Sequence, residues 1–312
     1  MIKASDHTNL SKSILKTLLY FDIFQYPLTA PEIFRHLPTN HVTLDHVKNE
    51  LTRMTDKSII YSVSDFFSVH DNPLLMERRI RGNQMALLSL SLAQKQALFI
   101  SKFPFVRAVM ASGSLSKNYM DEHSDLDFFI ITKPNRLWIA RMLLAVYQKI
   151  FLFNSHKYFC LNYFVDEHHL GIDEKNLYTA TELSTLIPLY GKEYYPQLMM
   201  SNYWVKAYLP NHTARSIENV FPYRSGWFKQ QLEAFINFSG ADKFERFSLK
   251  VFSTRWKMLY QKGYSKTDFE IAFKSKKHVS KGHPKNYQRK VMDLYEQKLQ
   301  EFGNKLSINW NE

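Results

Sequence analysis

The stretch that decides the fold is Met110-Ala-Ser-Gly113-Ser114-Leu-Ser-Lys117-Asn-Tyr-Met-Asp-Glu-His-Ser124-Asp125-Leu126-Asp127-Phe-Phe-Ile130. The apolar run Phe105–Ala111 predicts a strand that leads into Gly113-Ser114. Ten residues later Asp125-Leu126-Asp127 opens a second apolar run, Leu126–Thr132. Gly113 lets backbone approach a ligand without a Cβ in the way. A short helix predicted over Leu115–Met120 would leave amide groups free beside it, a seat for phosphate oxygens to which the Ser114 hydroxyl adds a donor. Strand residues two apart point the same way, so Asp125 and Asp127 share a face while Leu126 and Phe128 pack behind. Two carboxylates about 4 Å apart repel by roughly 4 kcal/mol at an effective dielectric near 20. Such a pair persists by sharing a proton or holding a cation, and oxygen ligands beside a phosphate seat suit Mg²⁺.

Working outward, Lys157–Val165 reads as a third strand, and the apolar Leu137–Phe153 as a helix between the second and third. A strand, Gly-Ser, about ten residues, Asp-apolar-Asp and a second strand: this pattern resembles the DNA polymerase beta-like nucleotidyltransferase superfamily over Phe105–Thr132. The resemblance implies an NTP substrate, Mg²⁺ as cofactor, and transfer of a nucleoside monophosphate to an acceptor the sequence does not identify. It implies Asp125 and Asp127 as catalytic, metal-holding residues and Gly113, Ser114, Lys117 and Ser124 as nucleotide-binding ones. Relatives often carry a third carboxylate on a later strand. In Tyr158-Phe-Cys160-Leu-Asn162-Tyr-Phe164-Val-Asp166, Asn162 stands where that acid is expected, and asparagine is neutral and accepts no proton as a base. Alternation places Asp166 on the face of Asn162, as a substitute metal ligand or as a solvated strand end. Where relatives have a basic residue and then glycine, this chain has Lys117-Asn118. Asparagine tolerates the left-handed conformation, and Lys117 either reaches a triphosphate oxygen or is ordinary surface charge.

Other candidates are weaker. His168 and His169 are adjacent on a strand and point to opposite faces, a wet edge more than a metal pair. His123 is a loop histidine beside Ser124. Glu182 reads as an N-terminal helix acid explained by the helix dipole. No Gly-x-x-x-x-Gly-Lys-Ser/Thr or Gly-x-Gly-x-x-Gly segment occurs.

The first seventy residues read as three helices and a hairpin. Ile14, Leu15, Leu18, Leu19 and Phe21 recur at helical spacing, and Thr29-Ala-Pro-Glu32 is a capping box. Leu44, Val47, Leu51 and Met54 line a third helix, and Ile59–Val63 and Phe66–Val69 flank Ser64-Asp65. That order resembles a winged helix-turn-helix. The outward face of its third helix, with His46, Lys48 and Arg53 beside Asp45 and Glu50, is nearly neutral, which favours packing or partner recognition over DNA reading. After Arg78, Arg79 and Arg81, Gly82 reads as a joint before a helix over 83–102; the alternative is that the arginines only solvate a helix start. Beyond Leu183 the sequence reads as helical to its end.

The expectation is therefore an α+β protein: a winged-helix-like domain over 1–72, a nucleotidyltransferase core of small mixed sheet and flanking helices over 73–190, and a basic α-helical region over 191–312. A catalytically impaired protein of the same fold, acting as a nucleotide-sensing or DNA-binding regulator, is the alternative. The 312 residues, 45% hydrophobic and 22% charged, exclude global disorder. One cysteine, Cys160, excludes an internal disulfide and a cysteine-rich zinc site, and points to a cytoplasmic setting. Met1–Leu10 lacks the apolar stretch of a signal peptide. Arg141 and Lys149 inside the most apolar window, each costing about 3 kcal/mol at mid-bilayer, argue against a span, so no membrane partner is expected. Of the net charge of +12, +8 lies in Val251–Gln300, where twelve Lys/Arg face four Asp/Glu. The stretch Lys274–Lys290, with Tyr287 and Phe273, is a candidate track for a nucleic-acid backbone or a solvated loop.

Overall fold

The computed structural model describes residues 9–310; residues 1–8 of the polar N-terminal stretch lie outside it. The chain opens with α1 (Asn9–Asp22), β1 (Leu28–Thr29), α2 (Ala30–His36), α3 (Leu44–Asp56), β2 (Tyr61–Val63) and β3 (Phe66–Ser68). The capping box forms: the Thr29 amide donates to Glu32 Oε2 at 2.9 Å. Ser64 takes the left-handed turn of the hairpin at φ +53°. The short strand β1 joins that hairpin in the order β1-β3-β2. Ile14, Leu15, Leu19, Ile33, Val47 and Leu51 are fully buried between helices and sheet.

A single helix, α4 (Pro73–Ile100), runs on through Gly82. Gly82 is thus no joint. A Cβ there would lie 2.3 Å from the Tyr119 ring, so the glycine is a docking point for that ring. Arg79 does not solvate a helix start either. It is buried, with its guanidinium 3.7 Å from the Tyr26 ring centroid and 2.6 Å from Glu32 Oε1.

The second sheet is built from β4 (Val106–Ser112), β5 (Asp127–Thr132), β6 (Cys160–Asp166), β7 (Ile187–Tyr190), β8 (Ser275–Lys276) and β9 (Val279–Lys281), in the order β7-β4-β5-β6-β9-β8. Strand β5 runs antiparallel to β4 and parallel to β6, as the crossover through α6 (Leu137–Phe151) requires. Strand β7, inside the region read as helical, carries Pro188 at the sheet edge, where a missing N–H costs no ladder bond. One sheet face (Val109, Ala111, Phe128, Ile130, Phe164) packs against α4 and α6. The other (Ala108, Met110, Phe129, Ile131, Val165) packs against α7 (Leu177–Thr185), α8 (Tyr194–Ser201) and α9 (Val205–Tyr208).

Residues 191–312 do not gather into a helical unit of their own. The helix α11 (Ala241–Tyr260), which follows α10 (Trp227–Phe238), lies on α6, where the Glu245 carboxylate accepts from the Trp138 and Ile139 amides at 2.9 Å each and so caps a helix lacking its own cap residue. After α12 (Lys266–Ala272), the basic segment forms the β8–β9 hairpin on the sheet edge. Finally α13 (Tyr287–Leu306) returns to the N-terminal helices, placing Val291 and Tyr295, with Ile308 just beyond its end, in their core.

Where the 209–216 segment crosses onto α2, Asn211 donates to the Phe34 and Thr39 carbonyls. His36 Nδ1 and both His212 ring nitrogens are buried with no hydrogen-bond partner among the described residues. Burial, helped by Arg35, holds His36 at about 3. Burial, helped by Lys206, holds His212 at about 4. A base depressed in the folded state contributes stability above its unfolded value near 6.5 and loses it as pH falls toward the folded value. Between pH 7 and pH 5 we expect urea denaturation to report a loss of about 1–2 kcal/mol for each histidine. His36→Leu should flatten that slope by its share.

Candidate functional site

The site forms where β4 ends and β5 begins. Ser112, the last residue of β4, is the register partner of Asp127, the first of β5. Gly113 then turns the chain at φ +64°. A Cβ at Gly113 would lie 2.2 Å from Asp127 Oδ2, so the carboxylate occupies the space that any other residue would fill. The helical turn α5 (Gly113–Ser116) starts at this glycine, two residues earlier than its sequence suggests. Asn118 follows with the left-handed backbone expected of it, at φ +57°.

Asp127 faces α7 together with Phe129 and Ile131. Burial pushes its carboxyl up to about 6, and the negative charges of Asp125 and Glu182 push in the same direction. The Cys160 thiol donates to it, and Lys117 lies near enough to oppose the rise. Asp125 precedes the strand and is exposed, so the strand alternation expected to align it with Asp127 does not apply to it. The two acids are therefore electrostatic neighbours, one half-buried and one open to solvent.

Lys117 is not ordinary surface charge. Its Nζ lies 2.8 Å from Glu182 Oε1 and donates to the Gly113 carbonyl at 3.2 Å, holding the bend and α7 together. Ser116 adds a second tie, with its hydroxyl donating to the Gly113 carbonyl at 2.7 Å and lying 3.1 Å from the Thr185 hydroxyl. Glu182 escaped the sequence reading because a helix acid has a ready explanation in the dipole. The signal it did carry is that Leu177–Thr185 contains no other charged residue.

Asp166 does not join the group, for two geometric reasons. In the parallel β5–β6 pair, Asp127 is level with Cys160 and Asp166 is level with Thr132, at the opposite end. Asn162 is an extra residue between Leu161 and Tyr163, which breaks the alternation and turns Asp166 to the sheet face away from Asp127. The Asp166 carboxylate instead accepts from the His168 amide at 3.0 Å and pairs with His169 Nδ1 at 2.7 Å. Cys160, not Asn162, is the β6 residue beside Asp127. The Asn162 carbonyl oxygen and the Ser112 hydroxyl are both enclosed without a partner among the described residues. Among those residues no group of three or more His, Cys, Asp or Glu side chains is close enough to hold a metal.

Beside this group, a cleft of ≈ 390 Å³ lies between Phe24, Tyr26 and Arg78 on one side and Ser114, Lys117 and Ser124 on the other; Gly113, Asp125 and Asp127 do not line it. The Tyr26 hydroxyl donates to the Lys117 carbonyl. Ser124 is engaged in its own turn: its hydroxyl donates to Asp121 Oδ1 at 2.7 Å and accepts from the Asp121 amide.

The C-terminal basic segment is partly spent on internal pairs. Lys274 is buried between Asp173 and Glu174, and Arg289 pairs with Asp268 at 2.7 Å. Phe273 is buried against Tyr260 and Trp256, so it is not available to stack on a base. Lys277, Lys285 and Lys290 remain exposed. Comparison with protein-family models, curated proteins and solved structures finds no match to this chain.

An acid raised by burial favours its neutral form, so ionising Asp127 destabilises the fold as pH rises from its unfolded value near 3.8 to about 6. Asp127→Asn removes that charge at similar size. At pH 7 without added metal we expect the variant to be more stable by about 1–3 kcal/mol in denaturant titration, with the gain fading below pH 4.

Proposed function

We propose that this chain transfers a nucleoside monophosphate from an NTP to an acceptor nucleophile, with release of pyrophosphate. The observation that carries the reading is the contact of the Asp127 carboxylate with the Cβ-less face of Gly113, which sets one acid of the expected pair against the bend that follows β4. Asp125 and Asp127 would hold Mg²⁺. The fit is electrostatic: the half-buried Asp127 is burdened by two neighbouring negative charges, and a divalent cation would relieve that load. The metal supplies charge neutralisation at the phosphate oxygens.

The chain's own residues do the rest. The left-handed bend at Gly113 makes room for the Asp127 carboxylate, Ser114 lines the neighbouring cleft, and Lys117 with Glu182 fixes the bend against α7. Transfer then needs the acceptor oxygen in line with the bridging bond to pyrophosphate, a matter of positioning more than covalent chemistry.

A second reading, nucleotide sensing without turnover, draws on Cys160. A thiol that burial pushes well above its ordinary range stands beside Asp127, in a place where an acid would complete a three-carboxylate site. The experiment separates the two. Radiolabelled NTP and Mg²⁺ are incubated with the protein and a whole-cell extract as acceptor, and label transfer and pyrophosphate are followed. Turnover should fall at least about a hundredfold in Asp125→Asn with Asp127→Asn. Mg²⁺-dependent NTP binding without transfer would favour the sensor, and full turnover in the double variant would remove the site.

A further inference from the structure

The helix α10 is mounted with its charged side inward. Lys229 is buried, and its Nζ donates to the Ser101 and Val106 carbonyls at 2.8 and 2.6 Å. Glu233, also buried, accepts from the Phe105 amide at 2.7 Å and from both Arg107 Nη atoms at 3.1 and 3.2 Å. Five directed bonds thus set the rotation of the helix, and its aromatic residues have only solvent to face. Trp227, Phe228, Phe235 and Phe238 are exposed by 73%, 73%, 67% and 93%. At about 100° per residue they fall within one arc of roughly 100°, with Gln231 as the polar residue among them.

The next helix continues the theme with charge added. On α11, Phe247, Val251 and Met258 are exposed at positions i, i+4 and i+11, one stripe along the helix. Lys243, Arg246, Lys250 and Lys257 occupy the adjoining arc, all exposed and without an ion pair among the described residues. Of the acids on the two helices, Glu233 and Glu245 are buried, and the exposed Asp242 pairs with Arg136 at 2.7 Å.

We infer that the α10–α11 hairpin docks in the plane of an anionic lipid bilayer, its aromatic side chains at the headgroup–acyl boundary and its lysines and arginine among the lipid phosphates. Charge complementarity selects this occupant. A second copy would bring the same unpaired cations face to face, and like charges in an interface oppose association. Single-stranded nucleic acid needs cations interleaved with stacking rings, and the α10 arc contains none. A surface that is apolar on one side and anionic just above it satisfies both helices. The sequence argument against a membrane concerned spans, and none of the described helices is long and apolar enough to cross one. Contact in the plane of the interface needs no span, and the inference stands independently of the nucleotide reading.

The test uses the full chain and sedimentation with phosphatidylcholine vesicles, with or without phosphatidylglycerol. Binding is expected on the anionic vesicles, weakening as salt is raised. Phe235→Ser with Phe238→Ser should lower partitioning about tenfold or more. Lys243→Glu with Lys250→Glu should lower it as far. Circular dichroism and Tm should stay at wild-type values, since these side chains are exposed. Absence of binding to anionic vesicles, or undiminished binding by the phenylalanine variant, would overturn the inference. So would a wild-type dimer that this variant splits, or binding of single-stranded DNA in place of vesicles.

Discussion

The arrangement turns on one close approach: an acid side chain lying in the volume where residue 113 would otherwise carry a Cβ. Such an approach is stable only if the bend is held rigidly, because a half-buried carboxylate gains from any movement that lets water in. The surrounding bonds answer that need. Lys117 and Ser116 both grip the Gly113 carbonyl and both reach across to α7. Register pairing of Ser112 with Asp127 fixes the strand ends. The charge held there is therefore a standing cost to the fold, of the kind proteins keep where it serves a ligand.

The N-terminal domain is part of this support more than a separate attachment. Tyr26 meets the backbone at Lys117, and Arg78 donates to the Phe24 and Gln25 carbonyls while its guanidinium lies 5.0 Å from the Tyr119 ring centroid. Through Gly82, the long helix α4 seats that same ring. The loop between Gly113 and Asp125 is thus pressed between two bodies, which limits the conformations open to it and gives the cleft a defined shape.

Much of this was legible in the sequence where local chemistry decides. The capping box at Thr29, the hairpin turn at Ser64-Asp65, the left-handed Asn118 and the core strands all rest on short-range rules, and they appear within a few residues of their expected bounds. The glycine bend and Asp127 were legible for the same reason. What escaped depends on distant partners. An extra residue at 162 has no signature in a run of apolar and aromatic residues, yet it reverses the facing of Asp166. Glu182 gains meaning only from Lys117, which lies 65 positions earlier in the chain. Arg79 and Lys274 look like surface cations until Glu32, Asp173 and Glu174 are brought to them. The strands β7, β8 and β9 are two to four residues long, too short for a period to be read.

The return of α13 to the first domain has a consequence for how the chain comes into being. Tyr20 packs edge-on against Tyr295, and Asp22 meets Lys298 across 276 positions. A nascent polypeptide holding only its first hundred residues lacks Val291, Tyr295 and Ile308, and must leave the apolar side of α1 uncovered while the sheet is still being made. Closure of so distant a loop is slow. The segment from α1 to β3 is accordingly among the last to reach its final packing, and the interval before α13 arrives is when it is most open to chaperone capture or misassembly.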